Sequence, residues 1–252
     1  MYLSDLASTT FSALPRHTPI VFPIAALEQH GPHLPLFTDS LLTGEIVRRS
    51  ELCLTDRVVF APVLWLGNSD HHLDFPGTLS APPRTYLDTL LGLAENVLSH
   101  GFRRIVFLNG HGGNDVPGRQ ALFELRQRHR DRTDLLLLMA TYWHLADPRQ
   151  HPAPQLLQSE MGHACEWETS MILRLAPHLV GPHTHLPDTT AATPFQPAFR
   201  AWTTLERSRN GYIGRPAAAT AEKGEHLFSV FSAATVQLLE RVVAWDGISW
   251  NE

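Results

Sequence analysis

TPIVFPIAALEQHGPHLPLFTD, running from Thr18 to Asp39, joins an apolar run to a polar cluster and then to a helix start. Thr18 to Ala26 is β-branched and apolar throughout, the pattern of a strand covered on both faces. The Gly31-Pro32 pair ends it. Thr38 and Asp39 both suit a helix N-cap, and SLLTGEIVRRSEL follows as helix. The same succession recurs downstream. Val58 to Leu66 (VVFAPVLWL) predicts a second buried strand and ends in GNSDHH. Arg84 to Ser99 carries apolar residues at helical spacing, with Gly101 just past its end. Arg104 to Leu108 (RIVFL) predicts a third strand running into NGHGGN; Pro117 to His129 predicts a helix, and Asp134 to Ala140 a fourth strand leading into TYWH.

Strands alternating with helices predict an α/β fold, a mostly parallel central sheet with helices on both faces. No linker divides the chain, so residues 1–252 are expected to form a single domain. In open sheets of this kind, ligands sit beyond the C-terminal ends of the strands. Four polar clusters (EQHGPH, GNSDHH, NGHGGN and TYWH) are placed there, on one edge. The second half is less regular. Glu160 to Leu175 predicts a helix, Pro177 to Ala198 a long irregular connection, and Glu225 to Val243 a final amphipathic helix.

Composition narrows the function classes. A formal net charge of −5 indicates no basic surface for nucleic acid. Two cysteines, Cys53 and Cys165, make no disulfide framework and fit a reducing cytoplasm. The N-terminus lacks the basic start and apolar core of a signal peptide, and no apolar run of membrane-spanning length is expected. The 15 histidines matter only through where they fall.

Glu28 and His30 are two residues apart, so in extended backbone they share a face. Asp39 follows at a helix start, where a carboxylate is electrostatically favoured. Glu, His and Asp together suit a divalent metal such as zinc, manganese or iron. His111 stands in Asn-Gly-His-Gly-Gly-Asn after a buried strand; the loop lacks the lysine and spacing of a phosphate loop. On the predicted 160–175 helix, Glu166 lies three residues from His163 and shares its face, whereas Glu168 points partly elsewhere. One carboxylate is expected to ligate a metal and the other to orient a ligand or handle protons. Ser69, Asp70, His71 and His72 are candidates for substrate contact. Serine catalysis is disfavoured, because adjacent residues rarely converge on one proton and no nucleophile elbow is present. Cys165 reads as a small packed residue.

Together these residues resemble the creatininase (creatinine amidohydrolase) family. The resemblance is carried by EQHGPHLP (Glu28–Pro35), Thr38-Asp39, Phe75-Pro76-Gly77-Thr78, NGHGGN (Asn109–Asn114), His163-Ala164-x-Glu166-x-Glu168-Thr169-Ser170, and the tail motifs from Gly211 to Gly224. It covers nearly the whole chain. It implies a three-layer α/β/α fold, one or two divalent metals per chain, hydrolysis of C–N bonds in cyclic or linear amides, and a homo-oligomer, often a hexamer. It also implies that Glu28, His30, Asp39 and His111 are metal ligands with Asp39 bridging, that Ser69 contacts substrate, and that His163 is catalytic or substrate-binding. Creatininases proper carry an aromatic residue and a ligating glutamate after the motif histidine; here Gly112 and Gly113 occupy those positions. Glu166 is therefore expected to replace the missing ligand, leaving Glu168 for proton handling. Gly112 is expected to leave room for substrate, and Trp143 or Trp167 to wall the pocket. The Gly-Gly form looks more like relatives acting as formamide deformylases or as the peptidase of mycofactocin maturation. A small amide or a short peptide is the expected substrate. The rival from another class is a non-catalytic metal-bound binding protein.

Overall fold

The computed structural model describes residues 1–151 and 154–249. Eleven principal elements follow in order: α1 (Ser8–Ala13), β1 (Ile20–Ile24), α2 (Thr38–Leu54), β2 (Val59–Phe60), α3 (Pro83–Ser99), β3 (Arg104–Asn109), α4 (Asp115–Arg128), β4 (Leu136–Thr141), α5 (Glu166–Leu175), α6 (Thr204–Arg207) and α7 (Ala221–Ala244). The four strands form one parallel sheet in the order β2-β1-β3-β4. Ile24 at the end of β1 pairs with Asn109, and Asn109 with Thr141, which levels the strand ends on one edge.

Side chains alternate across the sheet, and the two halves of the core follow from that period of two. Ile20, Phe22 and Ile24, with Ile105 and Phe107, pack under α3 and α4. Val21, Val106 and Leu108 face the other way, into α2, α5 and α7. The result is the expected α/β/α sandwich, with both sheet faces covered.

Two elements differ from the sequence reading. Only Val59 and Phe60 of the predicted 58–66 strand pair continuously with β1. Pro62 has no N–H to donate, and pairing resumes beyond it, where the Leu64 N–H donates to the Pro23 carbonyl oxygen (2.9 Å). The predicted 160–175 helix starts only at Glu166, because Ala164 is turned to a φ of 47° and His163 pairs antiparallel with Ile213. A third expectation also needs correction. α7 is long and apolar enough, by length and composition, to cross a membrane. Here Leu227, Phe228, Phe231 and Leu239 are buried in the core, and the helix packs on α5 and α2.

Candidate metal centre

The levelled strand ends bring five acidic and imidazole side chains together. Glu28 and His30 lie on the segment leaving β1, His111 two residues past β3, Asp39 in the first turn of α2, and Glu168 in the first turn of α5. All five are buried. Asp39 stands between the two histidines: Oδ1 is 3.1 Å from His30 Nε2 and Oδ2 is 3.0 Å from His111 Nδ1. Glu28 Oε2 lies 3.3 Å from His111 Nε2, and Glu168 Oε1 lies 3.6 Å from His30 Nε2. Glu28, His30 and Asp39 form one group of donor atoms close enough to share an ion; His30, Glu168 and His163 form another.

The fit to a divalent cation rests on three observations. Glu28 Oε2 and Asp39 Oδ2 are buried and accept no hydrogen bond, an arrangement that is costly without a cation. His30 Nδ1 donates to the Glu28 carbonyl oxygen (3.1 Å), which leaves Nε2 with its lone pair toward Asp39. His111 Nε2 donates to the Asn68 carbonyl oxygen (2.9 Å), which leaves Nδ1 free toward the other Asp39 oxygen. Backbone carbonyls thus set both ring tautomers for ligation.

Titration follows the same crowding. Burial pushes the Glu28 carboxyl up to about 7, with the Asp39 charge adding to it. Burial alone would lower His111, but Glu28 and Asp39 outweigh it and hold the ring up at about 9. His30 is also raised, its burial outweighed by Asp39 and Glu168. Asp39 is held well below the usual carboxylate range: burial opposes this, but His30 and His111 prevail. The site demands positive charge, which two imidazolium rings or a divalent cation can supply. Zinc, manganese and iron all accept this donor set.

A second ring of residues surrounds the first. His163 Nε2 donates to the Gln29 carbonyl oxygen (2.8 Å), and Nδ1 lies 3.7 Å from Glu28 Oε1. Burial lowers its pKa, so the ring is neutral at physiological pH. His72 receives a bond from Gln29 Nε2 (2.8 Å) and sits 3.2 Å from Glu28 Oε1. His71 stacks on His111 with centroids 5.7 Å apart. A cavity of about 1260 Å³ opens above, lined by Glu28, Asp39, His71, His111, His163 and Glu168 among others.

The structure redistributes several sequence assignments. Glu166 is not in the cluster. Its carboxylate is completely buried, 2.6 Å from Lys223 Nζ, and accepts N–H bonds from Leu157 (2.8 Å) and Gln158 (2.7 Å). Glu166 and Glu168 are the first and third residues of α5, so they leave the helix in different directions, and Glu168 rather than Glu166 lies in the cluster. Trp167 does not reach the cavity; it is buried against Phe231 in the core. Trp143 and Gly112 do line the cavity, and a Cβ on Gly112 would meet open space. Ser69 is buried behind His111, with Oγ 3.3 Å from Nε2. Trp202 and Arg207, which also line the cavity, carried no sequence signal; they follow the irregular 177–198 connection.

A model of the creatininase family, described as creatinine amidohydrolase, matches residues 4–239. The chain belongs to the creatininase family. Family members are metal-dependent amidohydrolases, and so is this chain. It is 30% identical over 253 residues to the mycofactocin precursor peptide peptidase of Mycobacterium tuberculosis, covering 96% of this chain and 92% of that one. A creatininase point mutant complexed with creatine shares the fold, with a TM-score of 0.81 and 25% identity over 96% of this chain and 98% of that one. Creatininase structures of a zinc–zinc type and with manganese match with TM-scores of 0.79 and 0.80, each 25% identical over 95% of this chain and 97% of theirs.

Proposed function

We propose that this chain holds two divalent ions and hydrolyses the C–N bond of a peptide-sized amide. The shared position of Asp39 between His30 and His111 carries this reading. Glu28, His30, Asp39, His111 and Glu168 would hold the ions. When bound, such ions lower the pKa of water and polarise a carbonyl. His163 keeps its Nε2 proton on the Gln29 carbonyl, so its Nδ1 lone pair faces the cavity floor and accepts the proton of the attacking water. The same ring returns that proton to the leaving nitrogen. Glu168, read from sequence as a proton carrier, acts here as a ligand. Gly112 offers the substrate an open wall.

The cavity size bears on the substrate. A volume of about 1260 Å³ exceeds the roughly 300–1,000 Å³ of typical small-ligand pockets, which favours a short peptide or an extended amide over a compact ring such as creatinine. The mycofactocin precursor peptide peptidase supports the same choice. A formamide deformylase would need the same metal chemistry and is the second reading. We further propose that the chain works in the cytoplasm as a homo-oligomer, a hexamer by family resemblance.

The test is metal content and hydrolysis on one preparation. Two equivalents of metal per chain are expected, with turnover of short peptides or N-formyl amines. Glu28→Gln and His111→Ala should abolish activity; full activity in both variants overturns the reading.

A further inference from the structure

Among the described residues lining the cavity, one arginine has no carboxylate partner. Arg207 lines the cavity from α6, which packs on the 70–72 turn beside the metal centre. Its guanidinium lies over the Trp202 ring, 4.4 Å from the centroid, and makes no ion pair or hydrogen bond among the described residues. The acids close to it are engaged elsewhere. Glu206, its neighbour on α6, accepts from the Thr203 N–H and faces Arg200. Asp188, across the cavity, pairs with Arg215 at 2.8 Å. Burial and the Arg200 charge lower the Arg207 pKa, the sign of a cation that is partly desolvated and uncompensated.

Arg207 is tied to the reaction centre by aromatic contacts. Trp202 meets His71 edge-on at 5.1 Å, and His71 stacks on His111 at 5.7 Å. The guanidinium therefore stands at one side of the cavity, with the metal ligands at the end of this stack. Ring stacking fixes a guanidinium's plane and leaves its N–H edge to a ligand. Its five donors suit a carboxylate held in bidentate fashion.

We propose that Arg207 determines specificity by binding a carboxylate of the substrate, so that the amide cleaved belongs to an anionic molecule: an acylated amino acid or a short peptide with a free C-terminus. A single unpaired cation matches a single negative charge. A phosphate dianion would call for a second one, and among the described residues lining the cavity Arg215, the other arginine, is already paired. The inference rests on the amide-hydrolase reading above and adds the charge of the substrate to it.

The experiment uses matched probes: N-formyl and N-acetyl amino acids and dipeptides of Ala, Leu and Phe, each as free acid and as C-terminal carboxamide. Turnover is measured on the metal-loaded enzyme, and binding on the same preparation by calorimetry. Free acids should bind and react about 10- to 100-fold better than their amides, the range of a charge-assisted hydrogen bond. Arg207→Ala should bring the ratio to about one, chiefly through KM, and Arg207→Lys should keep part of it. Equal use of acids and amides, or a ratio unchanged in Arg207→Ala, overturns the inference and leaves the hydrolase reading standing. Arg207-dependent binding of acids with no turnover of any probe overturns the hydrolase reading and keeps the carboxylate site. Neither binding nor turnover overturns both.

Discussion

Exchanging the acidic side chain of Glu166 or Glu168 for its amide separates two roles that lie two residues apart. Glu166→Gln keeps the shape and the acceptor oxygen that serves the Leu157 and Gln158 N–H groups. It removes the charge opposite Lys223, whose ammonium is nearly buried and retains only the Ala218 carbonyl (2.6 Å). Removing one member of a buried ion pair costs about 3–5 kcal/mol, because the other charge is left uncompensated. For a domain of this size each kcal/mol moves Tm by about 2–4 °C, so a fall of roughly 6–20 °C is expected. Melting is followed on metal-free protein, so that ligand loss does not enter the comparison. Adding Lys223→Met should recover much of the loss, since a neutral pair needs no compensation. Metal content per chain in Glu166→Gln should equal that of the unaltered protein. Glu168→Gln should do the reverse. Its amide oxygen can still accept from the Cys165 N–H at the helix start, and His30 keeps Asp39 as its nearer partner, so the metal-free Tm should fall less than in Glu166→Gln while about one metal equivalent is lost. Loss of a metal equivalent at unchanged Tm in Glu166→Gln, with both equivalents retained in Glu168→Gln, refutes this division of roles.

Three further outcomes are expected. His163→Gln should lower kcat by about 10²–10⁴-fold, the usual worth of a general base, at unchanged metal content; a lost metal equivalent would make His163 a ligand instead. Gly113→Ala should destabilise the protein and weaken metal binding, because a Cβ there meets the Asn68 carbonyl oxygen and His111 Nε2; an unaltered melting curve and metal content would contradict this. Glu225 is held down at about 2 by Arg49 and Arg174. Its folded pKa is below the unfolded value, so its stabilisation is complete above about pH 4.5 and is lost as pH falls toward 2. The Tm gap between the unaltered protein and Glu225→Gln, measured from pH 7 to 3, should therefore close on acidification, and a constant gap would show that the ion pairs contribute nothing.

The sheet was legible because its strands are apolar on both faces and each runs into a polar cluster. Glu28, His30, Asp39 and His111 were legible for the same reason, since strand ends of a parallel sheet share an edge. The carboxylate from α5 was misassigned because its helix start was misplaced. Read as one helix from residue 160, His163 and Glu166 share a face; in the structure the turn at Ala164 separates them. Glu166 then points to Lys223, 57 residues away and not visible as a partner from local spacing. Trp167 was misread for the opposite reason. An indole beside charged residues suggests a pocket wall, yet Trp167 faces Phe231 on α7. Trp202 and Arg207 lie in a stretch with no periodicity, where only the folded chain shows that they return to the cavity.

The two glycines after His111 and the position of Glu168 are linked by geometry. A side chain at residue 113 would have to displace the Asn68 carbonyl oxygen, and that oxygen receives the His111 Nε2 proton and fixes the ring for ligation. A glutamate entering this loop would disturb the bond that orients the His111 ring. The second carboxylate beside His30, after Asp39, comes from outside the strand edge. The first turn of α5 supplies it: the capping contact of Glu168 Oε2 with the Cys165 N–H holds the side chain so that Oε1 faces His30. Gly112, beside Gly113 in the loop, lines the cavity and has open space around it. On the proposed reading, the helix thus supplies a ligand while the glycine pair leaves room for a peptide-sized substrate.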